Sequence, residues 1–250
     1  MQKYRAIIEY DGTNYCGMQK QNSCNMKSIQ GELEKAISKF ANTDIEIEYS
    51  GRTDSGVHAI GQVIHFILPQ SRDIKNVLNG INFYLLDENE IVVKKVEKVS
   101  DEFHARFSAK KRKYLYRVLN TKVYSPLLKN RVYHYQYQVD IKKMQDVANS
   151  FCGKKMDFSS FCSAESVKNV NTIKTIDKIE IKKNGDEIYF YYEAKSFLHN
   201  MIRILTGLLL EVGRGKIDFN EAQNILKQKR RPDCCNTAPA CGLYFLETLY

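Results

Sequence analysis

The order of predicted elements limits the fold of this 250-residue chain before any single residue is weighed. "YRAIIEY" is rich in aromatic and β-branched residues and reads as a strand over 3–10, which the turn chemistry of "DGTNY" ends. Ser28 is placed to cap a helix over 28–40, with Ile29, Leu33, Ala36, Ile37 and Phe40 on one face. "IEIEYS" and "GQVIHFIL" read as strands, Ile74, Val77, Leu78 and Ile81 mark a helix over 71–82, and "IVVKKVEKV" returns as a strand. That is a β-α-β-β-α-β succession. Beyond a connector at 100–111 the order recurs: strand "KYLYRVLN", helix Asp140–Phe151, strands "TIDKIEIKK" and "EIYFYYEAK", helix Phe197–Val212 and final strand "GLYFLETLY". An α/β (α+β) chain of two ferredoxin-like halves is implied, with residues 1–105 in the first and 106–250 in the second.

Charge narrows the partners. Lysine and arginine outnumber the acids 38 to 29, and a formal charge of +9 favours a polyanion such as nucleic acid. Cys16, Cys24, Cys152, Cys162, Cys234, Cys235 and Cys241 include no CxxC pair, which argues against a disulfide framework and a zinc site. The richest apolar run, "MIRILTGLLLEVG", is broken by Arg203 and falls short of the roughly 18 residues of a membrane span. A soluble cytoplasmic protein, with no membrane partner, is expected.

Within "GRTDSGVHAIGQVIHF", Asp54 sits in a Thr-Asp-Ser-Gly loop. Such a loop is ordinary turn chemistry, because Asp accepts local N–H bonds and Gly supplies positive φ. Its place after a central strand is also where rigid scaffolds present catalytic groups. His58 invites a ligand or general-base reading, but no third ligand stands nearby, so no metal is expected. His65 alternates with Ile64 and Phe66 and reads as a structural histidine on the opposite face. Walker, dinucleotide, GxSxG and HExxH signals are absent, which leaves carboxylate chemistry without a cofactor. Lys110, Lys111, Arg112 and Lys113 lead into Tyr114 and Tyr116, suiting phosphate contact beside a stacking platform or, more blandly, a solvated charge run. Arg203 lies nearly opposite the apolar stripe of its helix, beside His199 and Asn200, and is either solvated or aimed at a carboxylate. Residues 213–242 read as an irregular excursion with a short helix near Asp218–Lys227, a capping box from Asp218 and Glu221, and the loop "KQKRRPDCCNTAPACG".

Together, "YDGTNYCGMQKQ", "GRTDSGVHAIGQVIHF", "FHARFSAKKRKYLYRV", "DFSSFC", "FLHNMIR" and "TAPACGLYF" resemble, in order and over essentially the whole chain, the TruA family of tRNA pseudouridine synthases. The resemblance implies the pseudouridine synthase fold: two ferredoxin-like halves with a merged mixed, antiparallel sheet and helices on one side. It implies a homodimer that isomerises uridine at positions 38, 39 and 40 of the tRNA anticodon stem-loop, without a cofactor. By the same resemblance Asp54 is the nucleophile, Tyr114 stacks on the target uracil and is a candidate final base, and Arg203 is the aspartate's partner. Arg52 helps the flipped nucleotide leave its stack, and Leu243 is an apolar pocket wall. His58, read from its place in the loop, is expected among the substrate-binding residues in a supporting role. Two departures stand out: Met18 replaces the family's tryptophan in a chain without tryptophan, and Lys174 stands where many members carry arginine. The rival readings are a non-catalytic RNA-binding protein built on ferredoxin-like lobes and an RNA hydrolase using Asp54 and His58. The absence of an RNP1 string disfavours the standard sheet readout of the first.

Overall fold

Alternation builds the first strand: Tyr4, Ala6, Ile8 and Tyr10 of β1 (Gln2–Tyr10) are all at most 3% exposed, while the residues between them face the other way. The protein is described here from a computed structural model, which covers residues 1–21, 25–163, 166–228 and 236–250. The basic and cysteine-bearing stretch 229–235 and Cys24 lie outside the described residues. The chain divides into two units, Met1–Lys110 with Tyr244–Tyr250, and Lys111–Leu243.

In the first unit, β1 is followed by α1 (Ile29–Ala41), β2 (Glu48–Tyr49), β3 (His58–Leu68), α2 (Ile74–Leu85) and β4 (Ile91–Lys98). Strand β1 is antiparallel to both β3 and β4, and β2 pairs with the far edge of β3. The order β4-β1-β3-β2 is that of a ferredoxin-like sheet. The expected strand "IEIEYS" contracts to Glu48–Tyr49, and β3 begins at His58, three residues before the expected start. Ser28 caps α1 by accepting the Gly31 N–H at 3.1 Å, as its position in the sequence leads one to expect. The helices bury Ile29, Leu33, Ala36 and Ile37, and Val77, Ile81 and Leu85, in the same core as the Tyr4 face of the sheet. The final strand, named β10 by its place in the chain (Leu243–Leu249), runs parallel to β3 from Tyr244, which pairs with His58.

The second unit contains β5 (Lys111–Leu119), β6 (Tyr133–His134), α3 (Ile141–Ser150), β7 (Lys155–Asp157), β8 (Ile173–Asn184), β9 (Glu187–Ala194), α4 (Met201–Gly213) and α5 (Phe219–Lys227). Antiparallel pairing gives the order β5-β9-β8-β7, and β6 lies parallel to β5. Ile188, Phe190, Tyr192 and Ala194 alternate into the core, where the buried Tyr192 hydroxyl meets Thr206 Oγ1 of α4 at 2.8 Å. Asp140 caps α3 by accepting the Lys143 N–H, and Asp218 and Glu221 form the expected capping box on α5 in both directions. Helix α4 starts at Met201, four residues after the expected Phe197. Asn200 takes φ 62 and ψ 2, a left-handed conformation that stops the helix from extending backwards. Both units are α/β, in agreement with the expected class. Among the described residues, no helix is long and apolar enough to cross a membrane.

Candidate active site

Asp54 heads a turn. Val57 N–H donates to the Asp54 carbonyl at 3.2 Å, and Gly56, with φ 76, supplies the positive φ of the third turn position. The turn leaves the Asp54 side chain half-buried and Arg52 exposed. Local chemistry forms this turn, and tertiary contacts hold it from two sides.

The β1 exit loop, residues 11–18, covers one side. Met18 N–H donates to Thr53 O at 3.0 Å, and Ser55 Oγ donates to Tyr15 O at 3.0 Å. Gly17 has φ 107, and a Cβ there would lie 2.4 Å from Thr53 O, so only glycine lets the two loops approach this closely. Met18 is fully buried.

A buried polar network supports the loop from below. Ser50 Oγ donates to Gln62 Oε1 at 2.6 Å, and Gln62 Nε2 donates to Gly51 O at 2.8 Å. Thr248 Oγ1 donates to Ser50 Oγ at 2.9 Å, and the Tyr10 hydroxyl meets Thr53 Oγ1 at 2.8 Å. Burial pushes the Tyr10 phenol up to about 12, against the lowering effect of Thr53 and Gln62, so its hydroxyl stays neutral at physiological pH. No motif in the sequence marks Tyr10, Gln62, Ser50 and Thr248 as parts of this site. Gln62 carries a local signal, an uncharged polar residue set among the apolar residues of β3.

His58 is 2% exposed and belongs to the mount of the loop. Its ring stacks on Tyr244 with centroids 4.7 Å apart. Nδ1 lies 3.1 Å from the Gly12 amide and 3.0 Å from Asp11 Oδ1. One ring nitrogen holds either a lone pair for the amide or a proton for the carboxylate, so these two bonds exclude one another. Either one ties the β1 exit loop to the start of β3. Among the described residues, no three His, Cys, Asp or Glu side chains gather as a metal-binding group.

The second unit holds the remaining candidates. Tyr114 is 8% exposed and meets Phe197 edge to face at 5.3 Å. It lies opposite Tyr192, and Tyr116 lies opposite Phe190, so both tyrosines share the core face of their strand as alternation requires. Burial drives the Tyr116 phenol well above its ordinary range, and its hydroxyl donates to Pro239 O at 2.6 Å. Arg203, half-buried, donates through Nε to Ala238 O and through Nη1 to Asn200 Oδ1, each at 2.8 Å. Ala238 N–H returns a bond to Arg203 O at 3.1 Å. Asn200 thus ends the helix with its backbone and orients the guanidinium with its side chain. Leu243, 6% exposed, follows this pinned segment and opens β10. Lys174 sits in β8 opposite Met156 of β7.

A half-exposed carboxylate on a loop fixed at both flanks suits nucleophilic attack on a substrate that enters from solvent. A family model described as tRNA pseudouridine synthase matches residues 6–108 and 147–250. A tRNA pseudouridine synthase A of Ehrlichia chaffeensis is 43% identical over 250 residues, covering 99% of this chain and 100% of that protein. A tRNA pseudouridine synthase A 1 of Bacillus cereus is 40% identical over 251 residues, covering 100% and 99%. A tRNA pseudouridine synthase A of Anaplasma marginale is 37% identical over 248 residues, covering 99% and 100%.

Proposed function

Because the chain belongs to the tRNA pseudouridine synthase family, we propose that it converts uridine to pseudouridine at positions 38, 39 and 40 of the tRNA anticodon stem-loop, with Asp54 as nucleophile. Family membership supports the coarser activity, isomerisation of uridine in tRNA. The observation that carries the role of Asp54 is its mount. The carboxylate heads a turn whose preceding residue, Thr53, is bonded through its carbonyl to Met18 and through its hydroxyl to Tyr10.

The reaction breaks the N1–C1′ bond, turns the uracil, joins C5 to C1′ and releases the C5 proton to a base. A carboxylate serves it by attacking C6 of the base or C1′ of the ribose, or by assisting a glycal route, and each needs the acid ionised and held still. In this reading Tyr114 stacks on the uracil, Arg203 is the cationic partner of the carboxylate, Arg52 assists the flipped nucleotide and Leu243 walls the pocket. His58 acts through the loop it supports. Extruding the nucleotide costs a few kcal/mol, which phosphate contacts from a chain of charge +9 offset. We assign it to the cytoplasm as a homodimer. The free thiols of Cys16, Cys152, Cys162 and Cys241 suit a reducing compartment.

The test is incubation of an unmodified tRNA transcript with the full chain, followed by mapping of pseudouridine by position. Conversion confined to positions 38–40 is expected, with Asp54→Ala binding tRNA and forming none. Turnover by Asp54→Ala would remove the nucleophile assignment. Conversion in another arm would refute the substrate site and leave the reaction class standing.

A further inference from the structure

The connector between β4 and β5 presents a feature that the reaction does not use. Phe107 is 77% exposed, yet the turn beneath it is closely tied. His104 N–H donates to Ser108 Oγ at 3.0 Å, and Ser108 N–H donates to His104 O at 3.0 Å. His104 Nδ1 accepts the amide of Arg106 at 3.1 Å and that of Phe107 at 3.4 Å. The His104 ring also supports the phenyl ring at 4.4 Å, and behind it His65 lies 4.8 Å from His104. Ala105, fully buried, is bonded on one side to His65 Nδ1 at 3.2 Å and on the other to the Tyr250 hydroxyl at 2.8 Å. A single exposed apolar side chain is ordinary; an aromatic ring raised on a rigid, hydrogen-bonded turn is preorganised to stack.

Charge selects the occupant. The exposed Arg106 guanidinium lies 5.7 Å from the Phe107 ring, and the exposed Lys110 opens the basic run to Lys113. Asp101 and Glu102 stand at the other end of the connector, before Phe103. An aromatic ring beside a guanidinium is the pairing that holds an unstacked base and its phosphate. Two other exposed apolar sites lack it. Phe83, 66% exposed at the end of α2, is followed by Asp87, Glu88 and Glu90, and Leu127, 91% exposed, has basic neighbours but no ring.

We propose that Phe107 and Arg106 form a second tRNA contact, an aromatic platform with a phosphate-binding guanidinium, separate from the loop that carries Asp54. His65, which anchors the turn, is seven residues along β3 from His58, roughly 23 Å at about 3.3 Å per residue. The contact therefore grips RNA away from the reacting nucleotide and acts on affinity, leaving the chemical step alone. The inference rests on tRNA being the substrate.

The test compares the wild type with Phe107→Ala, Phe107→Trp and Arg106→Ala for tRNA affinity, rate at saturating tRNA and size in solution. Phe107→Ala is expected to weaken tRNA binding by about 5- to 100-fold with the saturated rate unchanged, and Phe107→Trp to restore binding. Arg106→Ala is expected to weaken binding and to reduce the salt dependence of log affinity by about one unit. Phe107→Ala binding within twofold of wild type overturns the inference, as does a change in oligomeric size with unchanged tRNA affinity, which would make the ring a protein contact. Loss of affinity on Phe107→Ala in a wild type that forms no pseudouridine would sink the isomerase reading and leave this contact standing.

Discussion

Gly17→Ala tests the link between loop packing and catalysis. At φ 107 an L-residue is strained, and the new Cβ would lie 2.4 Å from Thr53 O and 3.1 Å from the Asp54 carbonyl carbon. Real Cβ contacts stop at 3.0 Å, so the Thr53–Asp54 peptide must retreat by about 0.6 Å, a scale at which misplacement of a reacting group approaches a 100-fold loss. The glycine cannot swing away instead. Met18 N–H is bonded to Thr53 O and Ile29 N–H to Gly17 O, so the chain is held on both sides. Strain of about 1–3 kcal/mol should lower the melting temperature by roughly 2–10 °C in a chain of this size. Gly185→Ala is the control: φ is 58 in the β8–β9 turn and a Cβ there meets nothing within 4 Å, so it costs about 1–2 kcal/mol of backbone strain alone. Single-turnover pseudouridine formation, tRNA affinity and thermal melts on both variants separate the effects. We expect Gly17→Ala to lose about two orders of magnitude in rate while still binding tRNA, and Gly185→Ala to keep its rate. A folded Gly17→Ala enzyme within a few-fold of wild type, or an equal loss in Gly185→Ala, would refute the reasoning.

His65 makes stability depend on pH. Burial first, then His104 and Lys3, lowers its pKa from 6.5 to about 4. Between those values the unfolded chain holds the proton and the native chain does not, so stability is full above about 6.5 and falls toward pH 4, by up to about 3 kcal/mol. Urea unfolding at pH 7.5 and 5 should show this slope in the wild type and a shallower one in His65→Gln; equal slopes would exclude His65 as the source. Tyr10→Phe removes the hydroxyl that meets Thr53 Oγ1, at a cost of about 1–3 kcal/mol in unfolding experiments. Its turnover should fall about tenfold with tRNA affinity unchanged, and an unaltered rate would show that the network does not hold Asp54.

Elements whose causes are local were legible. Ser28, Asp140 and Asp218 announce their helices because a cap needs only a side chain and amides two or three residues on. Gly56 likewise marks its turn. The apolar period carries α4 back to Phe197, because nothing in it reveals that Asn200 adopts φ 62 and binds Arg203. "IEIEYS" alternates well over its length, yet only Glu48 and Tyr49 pair, opposite His65 and Ile64. Alternation states which face a residue takes, and pairing depends on a partner elsewhere in the chain.

The sequence by itself determined the order of the longer elements, though not the short β6 and β7, together with the caps, the Asp54 turn and, through its motifs, the family, since these rest on neighbours within a few residues or on characters read in order. Tertiary structure alone decided that β10 runs beside β3, that Gly17 presses on Thr53, and that Tyr10, Gln62 and Thr248 meet under the loop. The Gln62–Gly51 bond spans 11 positions, and the others join residues 36 to 198 positions apart. Short-range pattern carries no record of them, because they form only when packing brings distant strands together and buried polar groups must find partners.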